Sequence, residues 1–283
     1  MLVVPPAVGG YWLFQSDSAR FEGSDEYLAW SVWAGVAMAI WLAIGVRLSG
    51  TVRQLRTSFE PHTPAAPMWV LCVVYALFAT LIAIPFHQAK LPAAVAFDSF
   101  QARVWVVVVI GLMSAAPAVF AIWLVAERLR QLRQLLQTAN GLGSPGHRID
   151  ELRRLWQHSL TALAALSVAL SVGVFTIEGL RALASTEAFP PWKMLLLGLF
   201  LTIAFASVYV PMLLSWRGCS RQLVNAVYMT PATGKPGESW TQGRARLMRL
   251  LGLEVGLVKR LSDALIVLAP LAASLLPLLP GSS

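Results

Sequence analysis

Long apolar runs alternate with short polar segments along this chain. Five runs are long enough for a helix to cross about 30 Å of hydrocarbon: Leu28–Val46, Met68–Phe86, Val104–Ala126, Leu160–Leu180 and Trp192–Trp216. A sixth run, Ala264–Pro280, is shorter and contains three prolines, so it either crosses the bilayer or lies in its interface. The pattern predicts an all-α, polytopic membrane protein with five or six transmembrane helices.

The polar segment between the third and fourth runs has a helical period of its own. Two apolar faces flank the turn-forming stretch TANGLGSPG: Leu129, Leu132 and Leu136 before it, and Leu152, Leu155 and Trp156 after it. This pattern predicts a cytoplasmic helical hairpin over residues 127–159. Its apolar faces either cover each other or lie flat on the bilayer, with arginines reaching lipid phosphates.

The predicted organisation therefore has six parts. They are an extracytoplasmic N-terminal segment (1–27), three transmembrane helices (28–126), the cytoplasmic hairpin (127–159), two transmembrane helices (160–216), a cytoplasmic basic loop with an amphipathic helix (217–263), and the short sixth segment (264–283). Within the fifth part, the basic stretch 244–261 is predicted to lie as a helix on anionic lipid.

Charge sets the predicted orientation. The chain has 22 Lys and Arg residues against 14 Asp and Glu, and 17 of the 22 follow the first, third and fifth runs. This positive-inside distribution places the N-terminus outside the cytoplasm and the three basic segments inside, in a plasma (inner) membrane. Membrane topology accounts for the positive charge, so we expect no nucleic-acid partner.

Spacing and context exclude most of the candidate catalytic and ligand-binding motifs in the sequence. The four histidines lie apart, and the glycines between 141 and 146 join two helices, whereas a dinucleotide fingerprint joins a strand to a helix. We therefore expect a non-catalytic protein without cofactor or metal. The one carboxylate inside a run, Glu178, lies near the outer headgroups. There it is predicted either to pair with Arg181 or to line an outer vestibule.

Two further patterns concern packing and pores. Small residues at four-residue spacing allow close helix approach, within the chain or between copies: Gly35, Ala39 and Ala43 in the first run, and Ala165, Ala169 and Gly173 in the fourth. Three hydroxyl side chains are predicted to line a pore assembled from several copies: Ser114, Thr202 and Ser207. The other runs hold no charged side chain in their interiors, which argues against an ion-coupled transporter built from one chain.

These patterns favour three functions. The first is self-assembly in the lipid bilayer, as a channel or membrane-permeabilising effector, with a homo-oligomer or membrane complex as the working unit. The second is a membrane anchor or scaffold subunit that docks a cytoplasmic protein partner through the hairpin. The third is a transporter of a neutral solute.

Overall fold

The computed structural model describes residues 25–57, 100–137, 145–183, 191–229, 237–253 and 267–275, and the single residue Ala76. These residues form six helices, with no strand among them: α1 (Asp25–Thr57), α2 (Phe100–Gln137), α3 (Pro145–Leu183), α4 (Pro191–Val227), α5 (Glu238–Leu250) and α6 (267–275). The prediction of an all-α chain is confirmed for this part.

Four helices are long and apolar enough to cross a membrane, over Tyr27–Thr57, Ala102–Gln137, Gly146–Leu180 and Trp192–Val227. Each contains one of the predicted apolar runs, so the chain is a helical, multi-pass membrane protein. The predicted run Met68–Phe86 lies outside the described residues, as do the segment before Asp25 and the predicted turn at 138–144. Of the predicted sixth run, 267–275 is described.

Helices α1 and α2 run parallel. The backbone of Gly111 faces the ring of Trp41, and one turn further along both helices Gly45 faces Ser114. The end of α1 and the start of α2 therefore lie at opposite ends of the bundle.

Helix α3 is antiparallel to α1 and α2. Near its end Gly179 contacts Trp30 of α1, and near its start Glu151 binds Arg128 of α2. Helix α4 then returns antiparallel to α3. Both α2 and α3 contact α1 as well as α4, so they form the central pair of a four-helix bundle.

Helix α1 packs through a heptad seam. Tyr27, Ala34, Trp41, Leu48 and Leu55 recur every seven residues, and each is at most 4% exposed. A seven-residue repeat keeps one face of a helix against its neighbours along a gently supercoiled bundle. The seam thus holds α1 against α2 and α3 over its whole length.

Helix α5 folds against the end of α4, with Leu247 buried in the main core. Its C-terminus is a Schellman motif, in which the N–H of Leu253 donates to Met248 O and that of Gly252 to Arg249 O, both at 2.9 Å. Gly252 has φ 65°, which glycine adopts without steric cost.

This arrangement differs from the predicted surface-lying helix over 244–261. The helix ends at Leu250, and Leu251 packs into the core of the bundle. Burial against protein removes Leu247 and Leu251 from water, and the glycine cap stops the helix before the second half of the basic stretch. Residues beyond Leu253 in that stretch are outside the described part.

Helix α6 packs on α3 and α4 in a small core of its own, where Ala273 meets Val174 and Leu201. Gly198 of α4 provides the closest approach, because a methyl group there would lie 2.6 Å from Ser274 Cβ and 3.1 Å from Pro270 O. Only a residue without a side chain fits this crossing.

Candidate functional site

Helices α2, α3 and α4 continue well past the predicted apolar runs. The 38 residues of α2 make a rod of about 57 Å, nearly twice the thickness of the hydrocarbon layer. We call the part of the bundle beyond those runs the polar extension: residues 127–137, 145–159, 217–229 and 237–253. It contains both arms of the predicted hairpin and α5.

The apolar faces of the hairpin arms lie inside the polar extension. Leu129, Leu132, Leu152 and Leu155 are each at most 5% exposed and share one core with α4 and α5. Leu136 and Trp156 pack on the same core, partly buried. The two faces therefore lie in one core, which α4 and α5 complete. The cytoplasmic hairpin itself stays a prediction, because its turn at 138–144 lies outside the described residues.

A charged cluster joins the two arms. Arg128 Nη2 lies 2.6 Å from Glu151 Oε1, and Arg128 Nε donates to the same oxygen at 2.8 Å. Arg148 Nη1 donates to the second oxygen, Oε2, at 3.1 Å. Glu151 thus binds two arginines with both oxygens, and all three side chains are less than a quarter exposed. Partial burial strengthens such pairs relative to fully exposed ones.

Aromatic stacking ties α3 to α4 at the base of the polar extension. The rings of Trp156 and Trp216 stack with centroids 4.2 Å apart and planes inclined by 28°. One turn further on lies Cys219, 1% exposed, at the level of the charged cluster and outside the apolar run. Burial raises the pKa of the Cys219 thiol to about 11, with the carboxylate of Glu151 adding to the rise and Arg133 opposing it. The thiol is therefore neutral at physiological pH.

Helix α5 is attached by polar and aromatic contacts. Arg244 donates to Asn225 Oδ1 at 3.0 Å and lies 5.2 Å from the centroid of the Trp240 ring. The Trp240 indole donates to Met229 O and meets Tyr228 edge-on. These contacts fix α5 as a rigid part of the polar extension.

The outer surface of the polar extension is basic. Glu127 and Glu151, two of its described acidic residues, are held in ion pairs. Seven exposed arginines face outward: Arg130, Arg133, Arg153, Arg154, Arg221, Arg246 and Arg249. Leu129, Leu132, Leu152 and Leu155 are buried, whereas these arginines are exposed, so this surface offers mainly hydrogen-bond donors and positive charge.

The predicted outer pair lies at the other end of α3. Glu178 is partly buried beside Gly179, which contacts Trp30. Arg181 lies in the same helix, but its side chain is outside the described part of the structure. Both the ion pair and the vestibule therefore stay predictions.

Sequence reasoning missed a buried arginine at this end of the bundle. Arg103 is 5% exposed, and its Nη1 donates to the Tyr27 hydroxyl at 3.4 Å. Because Arg103 lies just before the apolar run that begins at Val104, the sequence pattern predicts that it is in a loop. No local signal in the sequence indicates that the start of α1 covers it.

The three predicted pore residues lie on different surfaces. Ser114 is buried against Gly45 of α1. Thr202 is buried inside the bundle, and Ser207 is exposed on α4, where its hydroxyl donates to Ala204 O. The structure does not bring them together within one chain.

The small-residue face of α3 receives an aromatic side chain. Ala169 O accepts a 3.0 Å hydrogen bond from the indole of Trp41, and Gly173 lies beside the same ring. On α1, Gly35 and Ala39 are partly buried.

Next to these contacts a groove between α1 and α3 exposes two of the predicted small residues. Ala43 of α1 and Ala165 of α3 line it together, with Ala164 beside them. A separate cavity of about 100 Å³ lies beside Trp41, between the four long helices.

No group of three or more His, Cys, Asp or Glu side chains in the described residues is placed to hold a metal ion. Comparisons of the chain with protein-family models, with curated proteins and with solved structures find no match.

Proposed function

We propose that this chain is a non-catalytic membrane scaffold that docks an acidic soluble partner on the basic surface of its polar extension. The observation that carries the proposal is the outward-facing set of arginines on a helical extension in which Leu129, Leu132, Leu152 and Leu155 are already buried. Arginine suits carboxylate recognition because its guanidinium donates two parallel hydrogen bonds to a carboxylate.

The proposed orientation places the polar extension in the cytoplasm and the start of α1 outside a plasma membrane. Its support is the positive-inside distribution, since the exposed arginines of α1 and those of the polar extension lie at one end of the bundle. The partner is then a cytoplasmic protein.

The proposed architecture has five or six crossings. Because α1 and α2 run parallel, a chain that crosses with both of them has to cross back between Thr57 and Phe100. This supports Met68–Phe86 as the intervening crossing. The packing of α6 on α3 and α4 near Gly198 supports a sixth crossing over an interfacial position for 264–280.

Site-specific crosslinking tests the docking proposal in cells. A photoreactive residue at Gln134 or Gln157, both exposed on the hairpin arms, is expected to capture one soluble protein. The triple variant Arg133→Gln, Arg153→Gln, Arg154→Gln is expected to abolish the adduct, because it removes the charge that attracts the acidic surface. Thermal unfolding verifies that the variant is folded.

A matched control removes the same charge elsewhere. Arg47, Arg53 and Arg56 of α1 are also exposed, and their replacement by Gln is expected to leave the adduct intact. Equal loss in both triple variants, or no adduct at either position, contradicts the proposal. Deletion of 127–159 is not a usable test, because it removes four buried leucines from the core.

Self-assembly into a channel is a second candidate. The groove that exposes Ala43 and Ala165 favours it, because small residues let the helices of another copy approach closely. Native mass spectrometry from nanodiscs counts the chains in each particle. A ring of four or more that conducts ions supports this function, whereas a monomer contradicts it.

Transport of a neutral solute is supported less well than the other two functions by the cavities of the bundle. The cavity beside Trp41, about 100 Å³ in volume, is smaller than the roughly 150 Å³ cavity known to admit benzene. Saturable solute uptake by the monomer remains its test.

A further inference from the structure

We infer that the groove between α1 and α2 binds an anionic glycerophospholipid, with its acyl chain along the groove and its phosphate on Arg53. This site is separate from the docking surface proposed above and does not depend on it. The groove has a volume of about 480 Å³. Among the described residues, it is open along one side of the bundle.

The walls of the groove change from apolar to polar along its length. Leu42 and Met113 line it at the level of the apolar runs, whereas Ser49 and Arg53 line its other end. The eleven residue-to-residue steps from Leu42 to Arg53 rise about 16 Å along the helix axis. This change from apolar to polar lining fits an amphiphile. Its apolar tail would lie in the bilayer and its charged head group would reach the surface.

Small residues make the groove. Gly45 and Gly50 have no side chain, and a Cβ added at Gly50 would meet no described residue within 4 Å. Pro117 of α2 lies in the opposite wall. Proline lacks the N–H that would bond the carbonyl four residues earlier, so it leaves Met113 O without its helical donor.

Charge selects the head group. Arg53 follows the apolar run by seven residues, a depth from which its long side chain reaches the lipid phosphates. Basic pockets between transmembrane helices on the cytoplasmic side bind anionic head groups. Among described residues the groove has no acidic side chain in its lining, so a zwitterionic or neutral head group gains less from this site.

The groove between α1 and α3 repeats the arrangement on the other side of α1. It has a volume of about 520 Å³ and is lined by Ala43 and Ala164 at apolar depth, with Arg47 and Thr161 towards the polar end. Helix α1 therefore lies between two grooves, each with one arginine at the same end. We take the α1–α2 groove as the test case because Gly50 offers a clean blocking position.

Native mass spectrometry of the delipidated full-length protein tests the inference, with phosphatidylglycerol and phosphatidylcholine of equal chain length as probes. We expect phosphatidylglycerol to be retained more tightly. Arg53→Gln is expected to weaken its binding by about five-fold, the effect of one arginine at an anionic membrane surface. Arg56→Gln, an equal charge change on the same helix that lies outside the groove lining, is expected to leave binding unchanged.

A steric variant separates the groove from the charge. The Cβ of Gly50→Leu meets nothing within 4 Å among the described residues, so the variant is expected to fold and to reduce retention of both lipids. The docking variant with Gln at 133, 153 and 154 is expected to bind lipid normally, which distinguishes failure of this inference from failure of the proposed function.

Three outcomes would overturn the inference. Equal weakening by the changes at 53 and 56 would show a general surface-charge effect, and unchanged lipid retention in Gly50→Leu would place the lipid elsewhere. A dimer that excludes lipid from the groove would identify its occupant as a second copy, and this too contradicts the inference.

Discussion

The indole N–H of Trp41 in α1 donates a 3.0 Å hydrogen bond to the backbone carbonyl of Ala169 in α3. The donor is buried between helices that meet 128 residues apart in sequence. The carbonyl also serves its own helix, and it accepts a second bond because carbonyl oxygens have two lone pairs. Gly173 leaves room for the ring. One side chain thus satisfies its polar group and holds two helices together.

Replacing Trp41 by Phe is expected to lower the free energy of unfolding by more than the ~0.5–1.5 kcal/mol net value of one hydrogen bond, because the smaller ring also leaves a cavity beside Gly111. Unfolding in mixed detergent micelles, followed by circular dichroism, measures the change. Trp33→Phe is the control, because Trp33 is 57% exposed and is expected to change stability little. Equal effects of the two substitutions would argue against a stabilising bond to Ala169.

Gly198→Ala is expected to destabilise the chain by about 1–3 kcal/mol, the usual cost of overpacking. The added methyl group meets Ser274 and the carbonyl of Pro270. The methyl group of Gly218→Ala, in the same helix, meets no described residue within 4 Å, so this variant is expected to gain up to about 1 kcal/mol of stability from helix propensity.

A second substitution tests whether the contact with Ser274 causes the loss of stability. Ser274→Gly in the Gly198→Ala background removes the nearest side chain and is expected to recover part of the lost stability, as residues in contact couple. Thermal unfolding of the unmodified chain, the two single variants at 198 and 274, and the double variant gives the coupling free energy between the two positions. Additive effects of the two changes would mean that α6 does not cross α4 at Gly198.

Glu151→Gln is expected to cost about 1.5–3 kcal/mol, because it removes charged hydrogen bonds to two partly buried arginines. Glu127 pairs with an Arg130 side chain that is 66% exposed, and Glu127→Gln is expected to cost less than about 1 kcal/mol. Chemical unfolding at low and high salt measures both. A cost for Glu127→Gln that equals or exceeds the other would contradict the ranking.

Cys219 is expected to resist alkylation in the folded protein. With a pKa of about 11, its thiolate fraction near neutral pH is roughly 100-fold below that of an exposed cysteine. N-ethylmaleimide labelling of a Cys72→Ser chain measures the rate. A Gln134→Cys chain that lacks both native cysteines is the exposed control, and similar rates in the two chains would contradict burial of Cys219.

The same group predicts a pH dependence of stability. The pKa rises from 9.0 to about 11 on folding, so the folded state holds the proton more tightly. Its contribution to stability is complete below pH 9 and is lost as the pH rises towards 11. Cys219→Ala is expected to remove this part of the alkaline destabilisation. An unchanged alkaline profile would assign it to other groups.

The length and hydrophobicity of the runs determined the class of this protein from sequence. A helix of about 20 apolar residues satisfies its own backbone in lipid, so Val104–Ala126 and its equivalents indicate membrane helices without tertiary information. The faces of the hairpin arms were also visible, since Leu129, Leu132, Leu152 and Leu155 follow the helical period that buries them.

Only the tertiary structure determines which helix surfaces contact each other. Seven-residue spacing makes Trp41 a seam residue, yet nothing in the local sequence pairs it with Ala169. Arg103 is placed in a loop by its neighbours and becomes buried because Tyr27 covers it. Burial and hydrogen bonding of such side chains depend on segments that are distant in the chain. The hydrophobic pattern of a single helix indicates only which of its faces is buried and which is exposed.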